Sequence, residues 1–147
     1  MTSKESGSES ALELVYIDAN YWIYWFDERL PEHPYVNESM QSAIREGVVL
    51  SPVTLMEVAH YFRNLPASVL EEKMKMITNL STLTLIDFTY HILQSSISFL
   101  SEYSVSGLGV RDCVILATMK AAGSKILLTH DKAFSKVSGI KIIDRIS

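Results

Sequence analysis

Five short apolar runs punctuate this chain: LELVYI (12–17), VVLS (48–51), TLTLID (82–87), KILLT (125–129) and IKII (140–143). Runs of this length, rich in Leu, Ile and Val and bounded by turn or cap residues, read as strands, and the longer stretches between them read as helices. The predicted helices cover 20–28, 35–46, 55–64, 69–79, 89–103, 111–122 and a short piece at 132–137. Their punctuation is chemical. Pro31 and Pro34 break the first, Gly47 stops the second, Thr54 opens the third and Pro66 ends it. Ser68 caps the fourth, Thr89 starts the fifth, and Gly123 closes the sixth. A glycine- and serine-rich loop, SVSGLGV, fills 104–110. Strands that alternate with helices must cross over to pair in parallel, which places helices on both faces of the sheet. The expected fold is therefore α/β, a three-layer α/β/α sandwich with a central parallel sheet.

A chain of 147 residues fits one domain and can bury a core without a disulfide or zinc staple. Its single cysteine, Cys113, permits no internal disulfide and suits a reducing compartment; in its apolar helix it reads as core rather than nucleophile. No apolar run reaches the roughly 18 residues of a membrane span, and the Ser/Glu-rich start lacks the apolar centre of a signal peptide. The expectation is a cytoplasmic protein with no membrane association, a disordered polar tail at 1–11 and one domain at 12–147. The net charge of −4 argues against a protein that merely coats nucleic acid. With four acids set aside for a metal, thirteen basic residues face the thirteen acids that remain of seventeen.

In open parallel sheets, ligands bind beyond the carboxyl ends of the strands, and four acids fall there. Asp18 directly follows the first strand, and Glu57 lies a turn into the helix after the second. Asp112 begins the helix that leads to the fourth strand, and Asp131 lies just past that strand. Such charges stay ionised together in a cleft only beside a cation, and an all-carboxylate set selects Mg²⁺ or Mn²⁺. Each acid alone has a plainer role. Glu57 completes a capping-box pattern with Thr54, Asp112 complements a helix dipole, Asp131 is a turn residue, and Asp18 can cap a helix. The functional case rests on the four together.

Other residues carry less. The four histidines have no zinc spacing, and His130 reads as pointing away from the strand-end acids. Arg111 and Lys132 are candidate contacts to a substrate phosphate, with a surface salt bridge as the rival role for Arg111. Asp144 reads as an ordinary surface aspartate. The run Tyr21, Trp22, Tyr24, Trp25, Phe26 is too aromatic all round for one buried face, which suggests an exposed patch for a partner.

Four segments, in order, resemble the PIN-domain family of ribonucleases, most like the VapC-type toxins. They are YIDANYWI (16–23), SPVTLMEV (51–58), GVRDCVILA (109–117) and ILLTHDKAF (126–134). The resemblance spans nearly the whole chain after the tail. It implies a magnesium- or manganese-dependent endoribonuclease that hydrolyses RNA with a metal-activated water. It further implies Asp18, Glu57, Asp112 and Asp131 as catalytic metal ligands, with Asn20 and Thr129 supporting the acidic cluster. The same resemblance implies a homodimer and a cognate antitoxin.

Three alternatives stay open at this level. One is an RNA-processing nuclease without an antitoxin, and another is a binding module that has lost its chemistry. The third is a phosphatase using Asp18 as nucleophile, although Asn20 stands where that motif wants a second Asp.

Overall fold

The computed structural model describes residues 13–147; the stretch expected as a tail lies outside them. In chain order the elements are β1 (Val15–Ile17), α1 (Ala19–Phe26), α2 (His33–Glu46), β2 (Val48–Leu50), α3 (Pro52–Tyr61) and α4 (Ala67–Thr78). There follow β3 (Leu83–Leu85), α5 (Tyr90–Glu102), α6 (Val110–Ala122), β4 (Ile126–Leu128), a 3-10 helix (Lys132–Lys136) and β5 (Lys141–Ile143). The strands form one sheet in the order β3-β2-β1-β4-β5, and every pairing is parallel. This is the expected α/β/α sandwich.

The hydrophobic pattern explains the order. The residues of β1, β2 and β4 are buried at every position, so both faces of the sheet centre are covered. β3 and β5, at the edges, keep exposed residues, among them Leu85 and Lys141. From β1 the chain winds outward through β2 to β3, then returns to the other side of β1 to lay down β4 and β5. The winding reverses between β1 and β4, which opens a crevice beyond their carboxyl ends.

Several element starts differ from the sequence reading, each for a local reason. α2 begins before Pro34 rather than after it, because a proline in the first turn gives up no helical hydrogen bond. α3 begins at Pro52, with the Ser51 side chain accepting from the Val53 amide at 3.1 Å. Thr54 is therefore not a cap; its hydroxyl pairs with the Tyr16 hydroxyl at 2.6 Å, and the capping-box role for Glu57 falls away. α4 starts at Ala67, with Pro66 rather than Ser68 in the cap position.

The aromatic helix α1 also differs. Tyr21 and Trp22 are buried, and Tyr24, Trp25 and Phe26 are half-buried against the core, so the expected exposed aromatic patch is absent from α1. The indole N–H of Trp22 donates to the Ile17 carbonyl at 3.2 Å, and that of Trp25 to Asn37 on α2 at 3.0 Å. Phe26 meets Phe62 edge-on, with the Lys73 ammonium over both rings. α1 accommodates so many rings because it packs against α2 and α3, with Trp22 reaching the end of β1. Among the described residues, no helix is long and apolar enough to cross a membrane.

Candidate active site

Asp18 sits at the crevice because β1 ends one residue before it. Its backbone N–H still pairs with the Leu128 carbonyl on β4 at 3.0 Å, and its side chain caps α1 through the Ala19 amide at 2.7 Å. The carboxylate is wholly buried. Its other oxygen accepts from the Thr129 hydroxyl at 2.7 Å. That hydroxyl in turn accepts from the Asp131 amide at 3.0 Å and lies 3.4 Å from the Asn20 amide nitrogen. The oxygen of Asn20 accepts from the His130 amide at 3.4 Å. Asn20 and Thr129 thus tie the turn after β4 to the turn after β1, at the seam where the sheet reverses.

Two further carboxylates join Asp18. Asp112 sits in the first turn of α6, where its carboxylate accepts from the Gly109 amide at 3.1 Å. Glu57 projects from α3, with its side chain one-third exposed. The three converge on one cation from the chain itself, Arg111. Its Nη2 donates to Asp18, its Nε to Glu57, and its Nη1 to Asp112 at 2.6 Å. The fork shape of guanidinium lets three nitrogens serve three separate carboxylates. Burial pushes the Asp18 and Glu57 carboxyls up, against the opposing pull of Arg111. Burial works the other way on Arg111, but Asp18, Glu57 and Asp112 outweigh it and hold the guanidinium more firmly protonated.

Asp131 stands apart. Its carboxylate accepts from the Ala133 amide at 2.9 Å and caps the 3-10 helix, so the turn role open to it in the sequence is the role it fills. It reaches the cluster through its backbone N–H on Thr129. Among the described residues, no three acid, histidine or cysteine side chains are grouped as a metal cage. The reason is visible in the geometry: the guanidinium lies among three of the four expected ligands, and the fourth is turned to its helix. The chemistry of the donor set still fits a hard divalent cation. All donors are carboxylate oxygens, and Oε1 of Glu57 is buried with no hydrogen-bond partner.

Asp144 corrects its reading as a surface aspartate. Its side chain is largely buried and accepts from the Tyr21 hydroxyl at 2.7 Å and from the Ile146 amide at 3.2 Å. Nδ1 of His130 lies 2.7 Å from its other oxygen, and Lys132 Nζ 3.3 Å away. Burial raises the Asp144 carboxyl, but the His130 and Tyr21 hydrogen bonds outweigh it and hold it below the usual range. The Lys132 and His130 side chains are thereby directed to Asp144. The sequence signal was its place after β5, next to β4, where the register sets Leu128 beside Ile143.

Beside the cluster runs an open, mostly apolar groove of about 1130 Å³, lined in part by Asn20, Ile23, Met56, His60, Phe88 and Arg111.

A parallel sheet whose reversal point gathers acids from three segments defines a doubly wound α/β protein with an acidic strand-end site. Residues 15–140 match the PIN domain, and the chain belongs to the PIN-domain family. It is similar in fold to VapC20 of Mycobacterium tuberculosis, described as a sarcin–ricin loop cleaving toxin. The TM-score is 0.71 at 12% identity over 86% of this chain and 97% of that one. It is also similar to a chain of Rickettsia felis VapBC2 bound to a fragment of promoter DNA, with TM-score 0.68 and 16% identity over 89% and 98%. A chain of a Klebsiella pneumoniae toxin–antitoxin complex gives TM-score 0.61 and 23% identity over 88% and 95%. No curated protein sequence matches the chain.

Proposed function

We propose that the chain is a divalent-metal-dependent endoribonuclease whose nuclease domain spans 12–147, and that it is the toxin of a toxin–antitoxin pair. The observation that carries this reading is the convergence of Asp18, Glu57 and Asp112 on a single cation at the sheet's reversal point. Family membership supports the nuclease class, and the likeness in fold to chains of toxin–antitoxin complexes supports the toxin role and the antitoxin partner.

In this reading Asp18, Glu57 and Asp112 would hold Mg²⁺ or Mn²⁺, with Asp131 as the fourth acid of the set, directly or through water. Bound divalent ions supply the Lewis acidity that activates water and offsets charge on the leaving oxygen. The chain's own residues do the rest. Thr129 holds the Asp18 carboxylate in one orientation, and Asn20 fixes the turn that carries Asp131. Buried carboxylates bind a cation only in their ionised form, so the ion must offset the effect of burial on Asp18 and Glu57. RNA phosphate would meet Arg111 at the wall of the open groove, whereas Lys132, held at Asp144, lies outside the groove's lining.

The test is cleavage of a mixed-sequence RNA with Mg²⁺, with Mn²⁺ and with EDTA, beside the Asp112→Asn variant. Metal-dependent cuts that vanish in the variant support the reading. Cuts that survive EDTA, or that the variant retains, count against the site. Growth arrest on expression, relieved by a small protein encoded next to this one, would test the toxin role, and light scattering would test the homodimer.

A further inference from the structure

Arg111 is placed unlike an ordinary surface arginine. Its side chain is 30% exposed, and each of its three nitrogen groups meets a different carboxylate. Two of those acids lie 93 and 54 positions away along the chain. Asp18 brings a wholly buried carboxylate, which is costly to leave without a counter-charge. Three carboxylates against one guanidinium leave a formal charge of −2. The cluster is therefore stabilised by Arg111 without being neutralised by it, and it keeps an attraction for a divalent ion.

The guanidinium and such an ion compete for the same oxygens. Asp18, Glu57 and Asp112 each direct an oxygen into the space that the guanidinium fills. Arg111 itself sits in the first turn of α6 on a long flexible stem, at the wall of the open groove. The groove gives that stem open space on one side.

We propose that Arg111 is the resident counter-ion of the metal-free site, and that a divalent cation binds in exchange for its guanidinium, which then turns into the groove. The inference rests on the reading of the acids as metal ligands, but not on RNA being the substrate. In the metal-free protein Arg111 keeps three acids together that would otherwise repel. In the loaded protein it is freed as a positive group at the groove wall, where a phosphate can meet it. The cost of breaking three charge-assisted contacts is subtracted from metal affinity. The site therefore binds its ion more weakly than its acids alone would.

The experiment is calorimetric titration of Mn²⁺ into the full chain, comparing the native protein with Arg111→Gln and Asp18→Asn. Loss of the competitor should tighten Mn²⁺ binding about tenfold or more in Arg111→Gln, while Asp18→Asn abolishes it. Affinity within twofold of native in Arg111→Gln, or weaker, overturns the exchange. If neither the native protein nor Arg111→Gln takes up Mn²⁺, the cation-site reading falls and the exchange with it. Should Arg111→Gln fail to fold, the native protein still decides the matter by NMR of its Arg111 Nε–H during a Mg²⁺ titration. The signal should be slow to exchange without metal and become rapidly exchanging at saturation; a signal that stays protected at saturation overturns the proposal. RNA cleavage is scored separately, so loss of the nuclease reading leaves this result standing.

Discussion

The Thr129 hydroxyl donates to Oδ2 of Asp18 at 2.7 Å, joining two residues 111 positions apart in the chain. The contact exists because β1 and β4 lie side by side, with Ile17 in register with Leu128. One hydroxyl there orients a buried carboxylate and also accepts from the Asp131 amide.

Thr129→Val keeps the shape and removes all three hydrogen bonds of the hydroxyl, to Asp18, Asp131 and Asn20. The buried Asp18 oxygen and the Asp131 amide lose a partner, so the metal-free protein should lose about 2 kcal/mol in urea unfolding. Mn²⁺ affinity should fall as well, because Asp18 is no longer held in one orientation. Thr129→Ser should restore most of both. A Thr129→Val protein that unfolds at the native urea midpoint would contradict this account.

Tyr16→Phe tests how the second strand is tied to the first. The Tyr16 hydroxyl accepts from the Ser51 amide at 3.1 Å and pairs with Thr54 at 2.6 Å, and burial pushes its pKa up to about 12. Losing it leaves a buried amide and a buried hydroxyl short of partners at the start of α3, the helix that carries Glu57. The expected cost is about 1–3 kcal/mol. A chemical-denaturation curve reads it directly.

The metal-free protein should show two opposing pH effects. Asp18 and Glu57 have carboxyls raised by burial. For a raised group the stabilising contribution is full below the unfolded-state pKa and is lost as pH rises through the folded one. Asp27 and Asp144 are lowered; for Asp27 the chief cause is the Arg29 side chain, and for Asp144 the His130 and Tyr21 bonds that outweigh burial. Their contributions are present above the ordinary carboxylate range of about 4 and are lost as pH falls through their folded pKa values. The melting temperature without metal should therefore rise as pH is lowered from neutral, then fall in the acid range. Saturating Mg²⁺ should flatten the first limb, because metal favours the ionised acids. Thermal melts from pH 3 to pH 8, with and without the ion, check both limbs.

Two glycines should respond differently to alanine. Gly47, between α2 and β2, has φ +136°, and an added Cβ would lie 2.9 Å from the Leu14 side chain. Gly123, past the end of α6, has φ +73° and open space around it. Gly123→Ala should cost about 1 kcal/mol, the conformational penalty alone. Gly47→Ala should cost more, because the backbone penalty is joined by a steric one. Equal melting temperatures for the two variants would show that Leu14 yields freely.

Much of this protein was legible in its residue order. VYI, VVL and ILL are apolar at every position, which is what strands covered on both faces require, and Gly123 closes α6 where the sequence placed the stop. Asp18, Glu57 and Asp112 could be placed beyond the strand ends because a crossover topology leaves few other positions for them. What local pattern could not reveal were the partners chosen across the fold. Thr54 looked like a cap and instead serves Tyr16, and Asp144 looked solvated and instead holds His130, Tyr21 and Lys132. Arg111 looked like a surface cation and sits among three acids. Secondary structure follows from neighbours within a few residues, so it can be read along the chain. Hydrogen bonds and charge pairs between distant segments depend on strand order and on which side chain reaches a buried group first, and those become known only when the sheet is assembled.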